Sequence, residues 1–463
     1  MDNATIAAVS TPYGRGGIAV IRVSGELAIN VVDNCFSTRS GKKIADAPSH
    51  RAIYGNIVSG TKVIDDVVVT LFRAPASYTG EDTVEISCHG GILVTQKVLE
   101  CVLKSGARPA LPGEYTRRAF INGKLSLSKA EAIIDVIDAQ TEDKLALARA
   151  NVDGVLSNKI QSVYDKLCAL VSTAYVFADY PDEDLTDIST KELELGLMRC
   201  LEELERLCAT YKSGHAINEG IYTAIVGRPN TGKSSLLNAL LGNNRAIVSD
   251  VAGTTRDTVE ESVCVGSITL RLCDTAGIRE TEDTVERIGV ERSLEAIEKA
   301  ELILAVFDVS SRLTSEDEAI IEVLEKHDCE KIAVLNKSDM SANTFISTEL
   351  SKRISDSFEN IITISAKNGD NVPLLCEKIE KLFVENKIDY DTSAILTRAR
   401  QKNAVVSACE AIRCAISALK NGFTPDVAGM DIEDAMSKLL EVDSREVSAD
   451  IVDSIFHRFC VGK

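Results

Sequence analysis

The chain contains no tryptophan, and aromatic residues make up only 5% of its 463 positions. That excludes broad aromatic platforms of the kind that stack single-stranded nucleic acid. No apolar run reaches the roughly 18–20 residues that span a bilayer. The opening MDNATIAAVS has no basic stretch followed by an apolar one, so no secretory signal is expected, and no Arg-rich transit segment precedes the first strand. The thirteen cysteines are scattered, odd in number and without a Cys-x-x-Cys pair. This is the usage of reduced thiols in a cytosol, most of them small core hydrophobes, and a cytoplasmic location is expected. The net charge of −19 argues against a nonspecific nucleic-acid coat. A local basic patch, or an RNA held jointly with a partner, is still compatible with it.

What is present falls into three textures. At this length two to four domains are expected. Over residues 1–120, GGIAVIRVSG, IDDVVVTLF and TVEISC predict strands. GILVTQKVLECVLKSG predicts a helix ended by Gly106. Residues 121–215 turn helical, with Ser128 and Glu131 spaced as a capping box and the helical pattern stopping at Gly214. Residues 216–385 return to strand–helix alternation, and 386–463 are again amphipathic helix. The fold class expected is multidomain α/β plus all-α: an N-terminal α/β domain, a helical bundle split between two segments, and a P-loop domain inserted into it.

The inserted segment carries chemistry. IYTAIVGRPNTGKSSLLNALL reads as a buried strand, G-x-x-x-x-G-K-S, then a helix. Gly227 and Gly232 let backbone amides wrap phosphates, Lys233 reaches the β- and γ-phosphates, and the Ser234 hydroxyl ligates Mg²⁺. Asn230, Thr231 and Ser235 belong to the same cradle. ITLRLCDTAG ends a second strand at Asp274, whose carboxylate is placed for Mg²⁺ through water, with Gly277 placed for the γ-phosphate and Thr275 and Ala276 counted among the GTP-binding residues. KIAVLNKSD ends a third at Asn336, Lys337 and Asp339; a carboxylate there accepts from N1–H and the 2-amino group of guanine, so GTP is selected over ATP. IITISAK ends a fourth at Ser365, Ala366 and Lys367, on the guanine O6 side. Four such motifs in order, each after a strand, are not accounted for by Gly-rich turns arising by chance. Between the first two lies VSDVAGTTRD, with Ser249, Asp250, Val251, Ala252, Gly253, Thr254 and Thr255 counted among the nucleotide-binding residues and Thr255 as the second hydroxyl ligand to Mg²⁺. The glutamine that orients water in Ras-type GTPases is replaced by Ile278. Glu282 and Glu286 are the acidic residues nearby, and spacing does not choose between them or separate them from a solvated helix start.

The chain resembles the MnmE (TrmE) family of tRNA-modification GTPases. The resemblance runs from TPYGRGGIAVIRVSG to FCVGK and includes YTGEDTVEISCHGG, LPGEYTRRAFINGKLSLSKAEAIIDVIDAQT and DTAGIRETEDTVERIGVERS, which a generic GTPase would not share. It implies an N-terminal folate-binding domain that also forms the homodimer, a split helical domain and an inserted Ras-like G domain. It implies work with an MnmG-type flavoprotein, in a heterotetramer or larger complex, to install an aminomethyl or carboxymethylaminomethyl group at C5 of the wobble uridine of certain tRNAs. The one-carbon unit comes from 5-formyl- or methylene-tetrahydrofolate. By the same resemblance Asn230, Ser249, Val251 and Thr254 surround a potassium ion, Glu286 orients the catalytic water beside Lys233, and Arg22, Glu85, Lys124 and Lys463 bind folate. The alternative, a ribosome-assembly or other RNA-linked switch GTPase, usually carries an appended basic domain, which this acidic chain lacks. A dynamin-like structural GTPase explains neither end of the chain.

The tail FHRFCVGK fits a prenylation box poorly, because Gly462 and Lys463 follow the Cys. The C-terminal helix is expected to return it to the N-terminal domain, with Phe456 and Phe459 packed, Gly462 allowing close approach, and Cys460 acting as a redox or a merely positional thiol.

Overall fold

Alternate residues are buried along Ile18–Ser24 and Thr83–His89, which is the signature of a sheet with two unlike faces. A computed structural model of the chain describes residues 4–38, 41–179, 190–243, 261–272, 296–343, 348–384, 388–390, 392–443, 455–457, 459 and 461–462. It divides into two compact units, 1–134 with 439–463, and 135–438.

In the first unit, strands β1 (Ile6–Val9), β2 (Ile18–Ser24), β3 (Phe36–Ser37), β4 (Arg51–Ser59), β5 (Lys62–Phe72), β6 (Thr83–His89) and β7 (Arg108–Pro109) form a sheet in the order β3-β4-β5-β6-β2-β1-β7. Helices Ala28–Asp33 and Ile92–Lys104 cover one face, where Ile21, Val23, Val69, Ile86, Val98 and Val102 are buried together. The other face carries Ile6, Ala8, Ala110 and Tyr115, with Tyr78 packed against them. The Ile92–Lys104 helix ends as expected near Gly106, whose φ is +117°.

The chain's end closes on this unit. Phe456 and Phe459 are buried with Phe120, Leu127 and Ala130, and the Phe456 and Phe459 rings stack at 5.5 Å. The expected capping box is not what starts helix Leu127–Ile137. Ser128 lies inside the helix, and its buried hydroxyl donates to the Val442 carbonyl at 2.8 Å. Ser126, one turn before Lys129, accepts from the Lys129 amide at 3.3 Å instead.

In the second unit, helices Glu142–Asp153, Val155–Asp179, Thr190–Ala209 and Tyr211–Asn218 precede a mixed sheet, and Ala399–Lys420 and Pro425–Asp443 follow it. Leu193, Leu197, Cys200, Leu204 and Leu207 recur at three- and four-residue spacing and form the buried stripe of helix 190–209. Gly196 borders that stripe and lets helix Val155–Asp179 approach: a Cβ there would lie 2.6 Å from the Leu170 side chain. Gly214 does not end the helical pattern. It sits within Tyr211–Asn218, where a Cβ would meet the Leu396 carbonyl at 2.2 Å, so its role is close approach rather than termination.

The second sheet comprises β8 (Ile221–Val226), β9 (Glu261–Val265), β10 (Ile268–Leu272), β11 (Leu302–Asp308), β12 (Glu330–Asn336) and β13 (Asn360–Thr363), ordered β13-β12-β11-β8-β10-β9. All neighbours are parallel except β9 and β10. LILAVFD in β11 is buried throughout because both faces are covered. Leu302, Leu304 and Val306 enter one core, and Ile303, Ala305 and Phe307 enter the other. Each of these side chains except Ala305 contributes about 1.5–3 kcal/mol by leaving water. The order reverses direction at β8, which opens a crevice at the carboxyl ends of β8 and β11, the usual ligand position in such sheets.

At the opposite end of β8, His215 sits between two carboxylates. Its Nε2 is 3.0 Å from Glu301, and its Nδ1 is 3.3 Å from Glu219, near enough for ion pairing. Arg398 adds a 2.7 Å bond to Glu219 and also pairs with Asp135. The Glu219 and Glu301 carboxylates push the His215 pKa up to about 9, against the opposing effect of burial. A raised folded-state pKa means that the imidazolium's contribution is complete below the unfolded value near 6.5 and is lost as pH rises through 9. Stability of this unit is therefore expected to fall by on the order of 1–2 kcal/mol between pH 6.5 and 9.5, after discounting for partial solvation. His215→Gln should flatten that stretch of the urea midpoint-versus-pH curve; an unchanged slope in the variant would remove His215 as its cause.

Candidate functional site

The crevice is built by three strand ends. Between β8 and helix Lys233–Asn243, Gly227 must be glycine: a Cβ would lie 2.5 Å from the Val306 carbonyl. Asn230 takes a left-handed backbone at φ +62°, and Gly232 takes φ +97°. These turns bring the amides of the loop and of the helix's first turn around one concavity, an arrangement suited to anions. Ser234 and Ser235 are exposed in that first turn, while Thr231 is buried and its hydroxyl donates to the Arg228 carbonyl at 3.0 Å.

Lys233 lies back over its own loop. Its ammonium donates to the carbonyls of Gly227 at 2.7 Å and Arg228 at 2.9 Å. Burial holds its pKa below the usual lysine range. An arriving phosphate offers charged acceptors in place of these neutral carbonyls, and a charge-assisted bond is the stronger of the two.

Asn336 ties the three strand ends together. It is buried at the end of β12; its Nδ2 donates to the Thr231 carbonyl at 2.9 Å, and its Oδ1 accepts from the Ala366 amide at 3.0 Å. One amide thus spans the phosphate loop and the Ser365–Lys367 loop. Asp339 is exposed, and its Oδ1 accepts from the Ser365 hydroxyl at 2.7 Å, so the second pair of motifs is joined too. Ala366 is buried and Lys367 exposed.

The sequence-level reading missed Asp308. It ends β11, and its Oδ2 accepts from Lys337 Nζ at 2.7 Å, while its Oδ1 accepts from both the amide and the hydroxyl of Ser310. Burial alone would raise its pKa, but the Lys337 and Ser310 bonds outweigh it and hold the carboxyl low. The available signal was a single acid closing the otherwise apolar run LILAVFD. Arg228, also passed over, pairs with Ser311 and with Asp317.

In the first unit Arg22 and Glu85 come together. They are register partners on β2 and β6, and Arg22 Nε donates to Glu85 at 2.9 Å. The guanidinium lies over the rings of Tyr78 at 5.5 Å and Tyr115 at 5.7 Å. Lys124 does not join that pair; it donates to the Pro75 carbonyl at 3.0 Å, in the segment that leads to Tyr78. Gly462 has φ +103°, a Cβ there would lie 2.2 Å from the Val9 carbonyl, and its own carbonyl accepts from the Ser10 hydroxyl at 3.0 Å. Ser249, Asp250, Val251, Ala252, Gly253, Thr254, Thr255, Asp274, Thr275, Ala276, Gly277, Glu282, Glu286, Cys460 and Lys463 lie outside the described residues.

Comparison with known proteins fits this geometry. Residues 5–124 match the family described as GTP-binding protein TrmE N-terminus, and residues 127–460 match the MnmE helical domain. The chain belongs to the MnmE family. It is 41% identical to the tRNA modification GTPase MnmE of Clostridioides difficile (strain 630), over 99% of each chain. It is 42% identical to the protein of the same name from Heliobacterium modesticaldum, again over 99% of each. A crystal structure of Aquifex aeolicus Era bound to GDP.AlF4- is 30% identical, covering 41% of this chain and 65% of its own at a TM-score of 0.29. Membership makes the chain a GTPase of a tRNA-modification family, with a multidomain α/β and all-α fold. Among the described residues, no helix is long and apolar enough to cross a membrane.

Removing the Asn336 amide leaves the Thr231 carbonyl and the Ala366 amide unpaired in a buried setting. Asn336→Ala is expected to cost about 1–3 kcal/mol in urea denaturation of the nucleotide-free protein. An unchanged midpoint would mean that the two loops hold without it.

Proposed function

We propose that this chain hydrolyses GTP in a potassium-dependent cycle that serves tRNA modification. With an MnmG-type flavoprotein it installs an aminomethyl or carboxymethylaminomethyl group at C5 of wobble uridine. The observation that carries the nucleotide half is the Asn336 amide, which holds the phosphate loop and the Ser365–Lys367 loop in one frame. In that frame Asp339 accepts from guanine N1–H and the 2-amino group, and Ser365, Ala366 and Lys367 face O6. Asn230 to Ser235 cradle the phosphates, Lys233 neutralises the β- and γ-oxygens, and Ser234 with Thr255 would hold Mg²⁺. Ser249 to Thr255 and Thr275 to Ala276 count among the GTP-binding residues, Asp274 would reach Mg²⁺ through water, Gly277 would meet the γ-phosphate, and Glu286 would orient the attacking water. Asn230, Ser249, Val251 and Thr254 would hold K⁺, whose charge supplies what an arginine finger supplies elsewhere.

The working division is 1–120 for folate and dimerisation, 121–215 with 386–463 for the helical domain, and 216–385 for the G domain, in a cytoplasmic homodimer. For the folate half, the Arg22–Glu85 pair beside Tyr78 offers a carboxylate to the amino edge of a pterin and the half-buried Tyr78 ring to stack it. Arg22 must then share Glu85 with the ligand, while Lys124 and Lys463 supply charge for the glutamate tail and Cys460 acts as a redox or positional thiol.

Two measurements test this reading. GTP turnover should be at least tenfold faster in KCl than in NaCl at equal ionic strength; equal rates would eliminate the cation role. Reconstitution with the flavoprotein, tRNA, GTP and a tetrahydrofolate labelled in its one-carbon unit should place the label on C5 of a wobble uridine. Label-free nucleosides from a turning-over mixture would refute the folate assignment.

A further inference from the structure

Helices Thr190–Ala209 and Ala399–Lys420 run antiparallel in fixed register. Glu194 pairs with Lys420 at 3.5 Å near one end, and Glu205 pairs with Arg413 at 2.7 Å near the other. Cys208 lies about one helical turn beyond Glu205, and Cys409 about one turn before Arg413. The same register therefore sets the two cysteines opposite one another, near enough for their thiols to interact. Cys409 is 3% exposed, whereas Cys208 is half-buried and open on one side.

The two thiols differ as an attacking and a resolving thiol should. The facing Cys409 thiol and the cations Lys402 and Arg413, with Glu205 opposing, favour the Cys208 thiolate. Cys409 is held protonated by the facing Cys208 and by burial. Lys402 also lines an open cavity of about 310 Å³ with Tyr211, Lys212, His215 and Glu301, and its ammonium lies 4.8 Å over the Tyr211 ring. Lys402 and Arg413, the two cations near Cys208, favour an anionic reagent.

We propose that Cys208 and Cys409 form a dithiol–disulfide pair, oxidised and reduced by exchange with a small anionic disulfide. The Cys208 thiolate attacks one sulfur of the reagent, forming a mixed disulfide and expelling one thiolate. Cys409 loses its proton and attacks Cys208 Sγ, which forms the intramolecular bond and expels the second thiolate. In sum, two protein thiols and one disulfide become one protein disulfide and two small thiols. The bond closes residues 209–408 into a single loop that contains the whole nucleotide-binding sheet, and so fastens the segment entering that sheet to the segment leaving it.

The test uses the full-length protein and oxidised glutathione, followed by acid quench, alkylation, digestion and mass spectrometry. The expected product is a cross-linked peptide containing Cys208 and Cys409, with those two of the chain's thirteen thiols lost together and regained on reduction. Cys409→Ser should trap glutathione on Cys208, and Cys208→Ser should leave Cys409 free of it. The proposal is overturned if Cys208 and Cys409 both stay alkylatable while the exposed Cys168 and Cys414 carry glutathione. It is equally overturned if wild-type protein keeps glutathione on Cys208 beside a free Cys409.

Discussion

Everything at the crevice depends on one buried carboxamide. A side chain with one donor and one acceptor group, shut away from water, needs both satisfied, and Asn336 satisfies both with backbone from two different loops. Its position dictates its neighbours. Gly232 has to lack a Cβ, because one would fall 2.2 Å from Asn336 Nδ2. Lys337, the next residue, takes a left-handed backbone at φ +68°, a strained conformation for a side chain of its size. The Asp308 carboxylate holds that lysine with a 2.7 Å bond at the end of the neighbouring strand. The loops are thus mutually ordered by protein contacts alone, which lowers the entropy that a ligand must overcome on arrival.

Strand β8 links that frame to the helical part of the same unit. The phosphate loop leaves its carboxyl end; at its amino end Glu301 exchanges bonds with Tyr222, donating its amide at 2.8 Å and accepting from the Tyr222 amide at 3.1 Å. The same carboxylate engages His215, and through Glu219 and Arg398 the contacts reach Asp135. Burying so many charges costs desolvation that the pairing largely offsets, so the net stabilisation is modest. What the network supplies is direction. Helix Tyr211–Asn218 and the segment at Arg398 can meet the strand in one register, because any other leaves a charge unpaired.

The placement of the motif residues was legible in the sequence, because such motifs directly follow strands whose apolar runs stand out. Gly227, Lys233, Asn336, Asp339 and Ser365 stand at or just past the ends of the three strands β8, β12 and β13, each legible from its apolar run. Tertiary satisfaction was not. Ser128 had the spacing of a cap, but its hydroxyl found the Val442 carbonyl, more than 300 positions away in sequence. Gly214 had the look of a helix stop, but Leu396 needed its missing side chain. Asp308 carried too weak a local signal, because a lone acid after an apolar run is also how an ordinary strand ends. In each case the deciding partner was distant along the chain, where spacing holds no information.

The chain's end follows the same logic and joins it to the first unit. Two backbone approaches hold it: the Phe456 carbonyl would lie 2.3 Å from a Cβ on Gly113, and the Val9 carbonyl 2.2 Å from one on Gly462. Both glycines have positive φ, so conformation and space exclude other residues together. Between these two contacts Phe456 and Phe459 supply the apolar area, and Ser10 closes the last hydrogen bond. Val9 pairs with Ile21, the strand residue next to Arg22. Gly462 is therefore seated at the end of β1, the strand that pairs with the Arg22-bearing β2. Two glycine contacts, a phenylalanine pair and a serine bond thus fix Phe456, Phe459 and Gly462 within the first unit, with Gly462 one strand away from Arg22.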